Sequence, residues 1–71
     1  MLTITPNTLG LTVQWNGITI GSIRRIYKGE EGEWLHYHRL SDKGFKTPAE
    51  CAKDLRDMVA ASGSIKMDEA A

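Results

Sequence analysis

Residues 45–63, FKTPAECAKDLRDMVAASG, carry both a start and a stop signal for one helix. Thr47 is a good N-cap, Pro48 suits the first helical position, and Glu50 three residues after the cap completes a capping box. Gly63 is typical of the left-handed residue that ends a helix. Apolar residues recur at helical spacing on one face, namely Cys51, Ala52, Leu55, Met58 and Val59. The sequence therefore predicts an amphipathic helix whose apolar face packs on another element.

The residues before this helix alternate between apolar and polar side chains, as half-buried strands do. Residues 11–15, LTVQW, form one such run. The Asn16-Gly17 pair that follows predicts a type I′ hairpin turn, which needs positive φ at both central residues. We expect the return strand over residues 18–27 and a third strand, rich in aromatic side chains, over residues 33–40, EWLHYHRL.

The return strand is interrupted at Gly21-Ser22. Ile18 and Ile20 share one parity before this point, and Ile23 has the other parity after it. An inserted residue turns every later side chain of a strand to the opposite face, and glycine is common at such bulges. The sequence therefore predicts that the strand continues past a bulge or kink near Gly21.

The predicted fold is α+β, with an antiparallel sheet and one C-terminal amphipathic helix packed on one face. The sheet has three strands, or four if residues 2–5 form a further short strand before Pro6-Asn7. We expect a single domain over residues 1–63 and a flexible tail over residues 64–71. The second face of the sheet has no predicted element to cover it, so we expect any function to lie there.

Composition sets limits on the class of protein. The chain has 71 residues, 41% of them hydrophobic and 25% charged, as expected for one small globular domain. Its single cysteine excludes an intrachain disulfide and fits a cytoplasmic location. The first ten residues, MLTITPNTLG, carry no basic stretch and no long apolar run. We therefore expect neither a signal peptide nor a membrane span.

Candidate catalytic and metal-ligating residues are few. His36 and His38 lie on the same face of a strand, and Cys51 would be the obvious third ligand of a zinc site. Cys51 falls beside the apolar face of the helix, so both imidazoles would have to point into the core to join it. We expect no metal and no cofactor, and we expect Cys51 to be a small buried apolar residue. No phosphate-binding glycine motif is present, and we expect no enzymatic activity.

Basic and aromatic side chains form the remaining candidate site. The predicted binding set consists of Arg24, Trp34, His36, His38 and Arg39. If Leu35 and Tyr37 face the helix, then Trp34, His36 and His38 face outward. They would share that side of the sheet with Arg24. The opposite parity, which would turn them inward, is equally compatible with the sequence. Cationic and flat side chains on an open sheet can contact phosphates and base edges, and such residues are also enriched at protein interfaces.

The aromatic third strand and the F-x-T-x-x-E-C pattern at residues 45–51 resemble a known module. Residues 18–61 are similar to the N-terminal DNA-binding domains of phage-type tyrosine integrases, and the pattern also resembles small phage and prophage accessory proteins. This resemblance implies a sheet that lies in the DNA major groove. Arg24, Trp34 and Arg39 match, by character, the arginines and aromatics that make the DNA contacts in that family.

Charge favours a protein partner over DNA. The chain has nine Lys and Arg against nine Asp and Glu, whereas nucleic-acid affinity depends on neutralising phosphates. We therefore expect a non-catalytic binding module of phage or prophage accessory type that uses the open sheet face to bind a protein or a second copy of itself. The alternative is a module that binds duplex DNA through the same face.

Overall fold

The computed structural model describes residues 1–28 and 32–65. Four strands, β1 (Leu2–Asn7), β2 (Gly10–Trp15), β3 (Ile18–Lys28) and β4 (Glu33–His38), precede the helix α1 (Pro48–Ala61). The strands pair in chain order as one antiparallel sheet, β1-β2-β3-β4. The predicted α+β class is confirmed. Three or four strands were predicted, and the sheet has four. In the described residues no helix is both long enough and apolar enough to cross a membrane.

The turn between β2 and β3 has the geometry expected from its sequence. Asn16 has φ 51° and Gly17 has φ 84°, the positive values of a type I′ turn. The Asn16 N–H also donates to the Met1 carbonyl at 2.9 Å, which fixes the start of β1 beside this turn. β1 runs two residues further than predicted, through Pro6, because a strand at the edge of a sheet tolerates proline.

The predicted β-bulge is present in β3. The register between β2 and β3 shifts by one residue opposite Val13 and Gln14, which leaves Ile20 as the extra residue. Ile20 and Ile23 are therefore both buried although they are three residues apart. Gly21 lies under the helix, where an added Cβ would approach the Leu55 side chain to 2.9 Å. Glycine at this position lets the helix approach the sheet closely.

The core lies between α1 and one face of the sheet. Its buried apolar side chains come from β2, β3, the segment before the helix, and α1: Val13, Trp15, Ile20, Ile23, Phe45, Cys51, Ala52, Leu55 and Val59. Met58, which the sequence pattern places on the apolar face of the helix, remains 38% exposed. The helix thus buries a narrower face than its sequence predicts.

Phe45 ties the segment after β4 back to the sheet. Its backbone N–H and C=O exchange hydrogen bonds with His36 at 2.9 and 2.8 Å. Its ring is buried and stacks on the His38 ring, with centroids 6.2 Å apart. The short bridge sets where α1 begins, two residues before the cap.

The helix starts at the predicted residue. The Thr47 hydroxyl accepts a hydrogen bond from the Glu50 N–H at 3.2 Å, and Pro48 occupies the first turn. Among the described residues, the Glu50 carboxylate does not return a bond to the Thr47 N–H, so only half of the capping box forms. The cap therefore depends on the threonine hydroxyl.

The helix ends at the predicted glycine. Gly63 has φ 84°, and the N–H groups of Gly63 and Ser64 donate to helix carbonyls at 3.0 and 3.2 Å in a Schellman pattern. Ile65, within the predicted tail, packs against the core. The rest of the predicted tail, residues 66–71, lies outside the described residues.

Replacing Thr47 by alanine is expected to lower the free energy of unfolding by about 1 kcal/mol, because the Glu50 N–H loses its side-chain acceptor. Urea denaturation followed by circular dichroism measures the loss. Thr47→Ser keeps the oxygen and should retain nearly all of the stability. An unchanged urea midpoint for Thr47→Ala would mean that the cap does not contribute to helix formation.

Candidate functional site

The helix leaves one face of the sheet uncovered. We call the face beneath α1 the covered face and the opposite one the uncovered face. From the strand register, the uncovered face is mainly polar and carries Thr3, Thr5, Thr12, Gln14, Ser22, Arg24, Ile26, Leu35 and Tyr37. It is therefore not the aromatic surface expected from the sequence.

His38 belongs to the core. It is 5% exposed, and its Nε2 lies 2.7 Å from Asp54 Oδ2 on α1. Since the Leu40 N–H donates to Nδ1 at 3.1 Å, Nδ1 is the acceptor and Nε2 carries the proton that is donated to Asp54. The prediction that Trp34, His36 and His38 face away from the helix is therefore wrong. The inward alternative is confirmed, and His38 is a structural residue rather than part of an exposed binding surface.

The predicted binding set does not form one surface. Trp34 shares the parity of His38 and lies toward the covered face, whereas Arg24 lies on the uncovered face. Arg39 follows the end of β4, and its guanidinium donates to the Ile20 carbonyl at 3.3 Å. The expected surface of Trp34 flanked by Arg24 and Arg39 is thus divided between two faces of the sheet.

A different cluster of side chains surrounds Trp34. The last β2–β3 pair is Leu11 with Ile23, and β3 continues to Lys28 paired only with β4, so these two strands project as an arm. On this arm the Arg25 guanidinium lies 4.6 Å from the Trp34 ring centroid. The Tyr27 and Trp34 centroids are 5.1 Å apart, with the rings tilted by 58°.

We call Arg25, Tyr27 and Trp34 the arm cluster. Both rings are 50% exposed, so the helix does not cover this part of the sheet. The binding set predicted from the sequence did not include Arg25 or Tyr27. The signal that could have found them is the parity change at the bulge, which places odd-numbered residues of β3 opposite Trp34 on the same face.

An open cleft lies between the arm and the β1–β2 turn. Its volume is about 460 Å³, within the range of small-ligand sites. Apolar and polar side chains both contribute to its walls, chiefly Leu9, Leu11, Ile23, Arg25, Trp34 and His36. The cleft therefore combines an apolar wall with one cation, one indole and one imidazole.

The imidazole of His36 is uncharged at neutral pH. Burial is the larger cause that lowers the pKa of His36 below its ordinary value of 6.5, and the positive charge of Arg25 lowers it further. Its Nδ1 is buried, and within the described residues it has no hydrogen-bond partner. Of the described side chains that line the cleft, Arg25 is thus the one that carries a charge at neutral pH.

Leu9 stands at the rim of the cleft on a well-ordered turn. It is 89% exposed, yet its N–H donates to Asn7 Oδ1 at 2.8 Å. The Asn7 amide in turn donates to Thr12 Oγ1 at 2.6 Å. This arrangement is an Asx turn, which fixes the backbone that carries the exposed Leu9 side chain. The sequence signal was the Asn7 turn residue, but nothing in the pattern indicated an exposed leucine.

Cys51 is not arranged as a nucleophile. The side chain is fully buried, and burial followed by the charge of Asp54 raises the pKa of the thiol to about 11. Contrary to the expected geometry, Cys51 and His38 lie on the same side of the sheet, but Asp54 and the Leu40 N–H occupy both ring nitrogens of that histidine. Across residues 1–28 and 32–65, no three His, Cys, Asp or Glu side chains are grouped to hold a metal ion.

Comparison with known proteins gave no family model, curated protein or solved structure that matches this chain. The resemblance to integrase DNA-binding domains therefore stays a prediction from the sequence.

Arg25→Gln is expected to raise the pKa of His36 toward 6.5, because it removes the positive charge that disfavours the imidazolium. The pKa should stay below that value, since burial remains. An NMR titration of the imidazole resonances measures the change. Arg24→Gln removes a neighbouring charge from the opposite face and should leave the pKa nearly unchanged. Equal shifts in both variants would contradict the placement of Arg25 beside His36.

The Cys51 thiol is expected to react with a disulfide reagent at pH 8 at least about a hundredfold more slowly in the folded protein than in urea. A pKa raised from 9.0 to about 11 lowers the thiolate fraction by that factor, and burial slows access further. The absorbance of the released thiolate gives the rate, with Cys51→Ser as the blank. Rapid labelling of the folded chain would show an exposed, reactive thiol.

Proposed function

We propose that this protein is a non-catalytic binding module that docks a protein partner through the arm cluster. The observation that carries the proposal is the exposure of Trp34. This large aromatic side chain is on the same face as the helix, but it lies on the arm beyond the helix and is half exposed. Tryptophan, tyrosine and arginine are the residue types most enriched where binding energy concentrates at protein interfaces. The arm cluster contains one of each.

The arm cluster is also held in place before any partner binds. Trp34 contacts both the Arg25 guanidinium and the Tyr27 ring. A side chain already fixed by its neighbours loses little rotamer entropy on binding, so more of its contact energy appears as affinity. This arrangement supports a preformed docking surface.

Charge supports a protein rather than a nucleic acid as the partner at this surface. The chain has a formal net charge of zero, and Arg25 is the one cation of the arm cluster. Nucleic-acid binding draws most of its affinity from several phosphate contacts at once. A second copy of the chain belongs to the protein class, and the resemblance to phage and prophage accessory proteins agrees with a small adaptor role.

One observation favours the second candidate, duplex DNA on the uncovered face. Ser22, Arg24 and Tyr37 of this face line an open groove of about 470 Å³, to which Arg39 contributes from the segment after β4. Hydroxyl groups and arginines are common phosphate ligands. This groove offers only two cations among its lining residues, so it supports DNA binding more weakly than the arm cluster supports a protein partner.

Trp34→Ala is expected to weaken binding to the protein partner by about 2 kcal/mol or more, as loss of an interface tryptophan does. The free energy of unfolding should fall by only about 1 kcal/mol, because the ring is half exposed and its contacts are with Arg25 and Tyr27. Affinity capture from the source cells followed by calorimetry with the purified partner gives the first value. Urea denaturation gives the second.

Arg24→Ala is the matched control, since it removes a β3 arginine from the opposite face and should leave binding intact. A stability loss of about 3–5 kcal/mol for Trp34→Ala would identify a core residue and reject the docking surface. Loss of binding in Arg24→Ala but not in Trp34→Ala would favour DNA on the uncovered face instead. In that case the binding affinity should also fall steeply as the salt concentration rises. Sedimentation of both variants tests whether the partner is a second copy.

A further inference from the structure

We propose that the cleft beside the arm cluster receives a carboxylate carried next to an apolar side chain of the protein partner. This inference rests on the proposed function and specifies the chemistry that the partner presents. The carboxylate would belong to an aspartate, a glutamate or a chain terminus, and it would lie against Arg25. The adjoining apolar side chain would lie against the wall formed by Leu9, Leu11 and Ile23.

Arg25 is placed to bind an anion. Its guanidinium lies over the Trp34 ring, and within residues 1–28 and 32–65 no carboxylate forms an ion pair with it. A contact between a guanidinium and an aromatic ring does not use up the N–H donors of the arginine in hydrogen bonds. Two parallel N–H donors match the two oxygens of a carboxylate, which makes this pairing stronger than a neutral hydrogen bond.

The charge of the cleft matches a single carboxylate. His36 lines the cleft but is uncharged at neutral pH, because burial and Arg25 both disfavour its protonated form. No acidic side chain lines the cleft within the described residues. One positive charge beside an indole and a neutral imidazole thus favours one negative group.

The apolar wall accounts for the second part of the proposal. Leu9 is 89% exposed, and its backbone N–H is bound by the Asn7 side chain, so the turn presents an apolar side chain to water. Leu11 and Ile23 continue this wall into the sheet. An apolar side chain of the partner would remove Leu9 from water without requiring the turn to move, and a preformed contact of this kind costs little entropy.

The test compares two blocked peptides, Ac-Ala-Leu-Glu-Leu-Ala-NH₂ and the same peptide with glutamine in place of glutamate. Each is titrated into the ¹⁵N-labelled full chain, and the Trp34 indole N–H resonance reports on the cleft. We expect the glutamate peptide to bind at least about fivefold more tightly, because only its carboxylate can form a charge-assisted bond with Arg25. Arg25→Gln should remove this preference, whereas Arg24→Gln, on the opposite face, should keep it.

Equal binding of the two peptides, no binding of either, or a preference that survives in Arg25→Gln would overturn the carboxylate site. Leu9→Ser should lower the affinity for the glutamate peptide while the fold is retained. An unchanged affinity would overturn the role of the apolar wall. These results are separable from the proposed function. If Trp34→Ala loses the purified partner while the peptides show no preference, the docking surface stands and the carboxylate inference fails.

Discussion

The β-bulge at Ile20 decides which side chains of β3 meet the helix. It lets Ile20 and Ile23 enter the same core, and it places Gly21 beneath Leu55 so that α1 can approach the sheet. In a regular strand, two residues an odd number of positions apart lie on opposite faces, and one isoleucine would be lost from the core. The same change of parity extends to the end of β3 and brings Arg25 to the side of Trp34.

Local signals in the sequence predict most of the fold. The Asn16-Gly17 turn, the Thr47 cap and the Gly63 stop each depend on a few neighbouring residues whose backbone preferences are strong, and all three occur where predicted. The bulge was also predicted near Gly21, because glycine and a parity change coincide there. The ends of two strands were predicted less accurately. β4 stops at His38 and not at residue 40, since a turn begins at the next residue, and β1 continues through Pro6.

The candidate site was predicted less well, because it depends on which face of each strand is buried. Trp34 was predicted as the centre of a surface that includes Arg24 and Arg39; it is half exposed, but these two arginines are not its neighbours. Periodicity alone gives two equivalent orientations of β4, and the choice between them is made by the bond between His38 and Asp54, which lies sixteen positions away on the helix. A contact at that separation leaves no local trace in the sequence.

The position of Pro6 has a consequence for how the sheet can grow. β1 is an outer strand, and the proline ring nitrogen must face away from β2, so alternate residues of β1 turn their backbone groups toward solvent. Of the outward positions Leu2, Ile4 and Pro6, only the first two can donate a hydrogen bond to an added strand. On the opposite border, Phe45 already occupies the backbone groups of His36. Each border thus has one position at which regular strand addition is blocked, Pro6 on β1 and His36 on β4, and interruptions of this kind make an exposed edge a less regular template for a further strand.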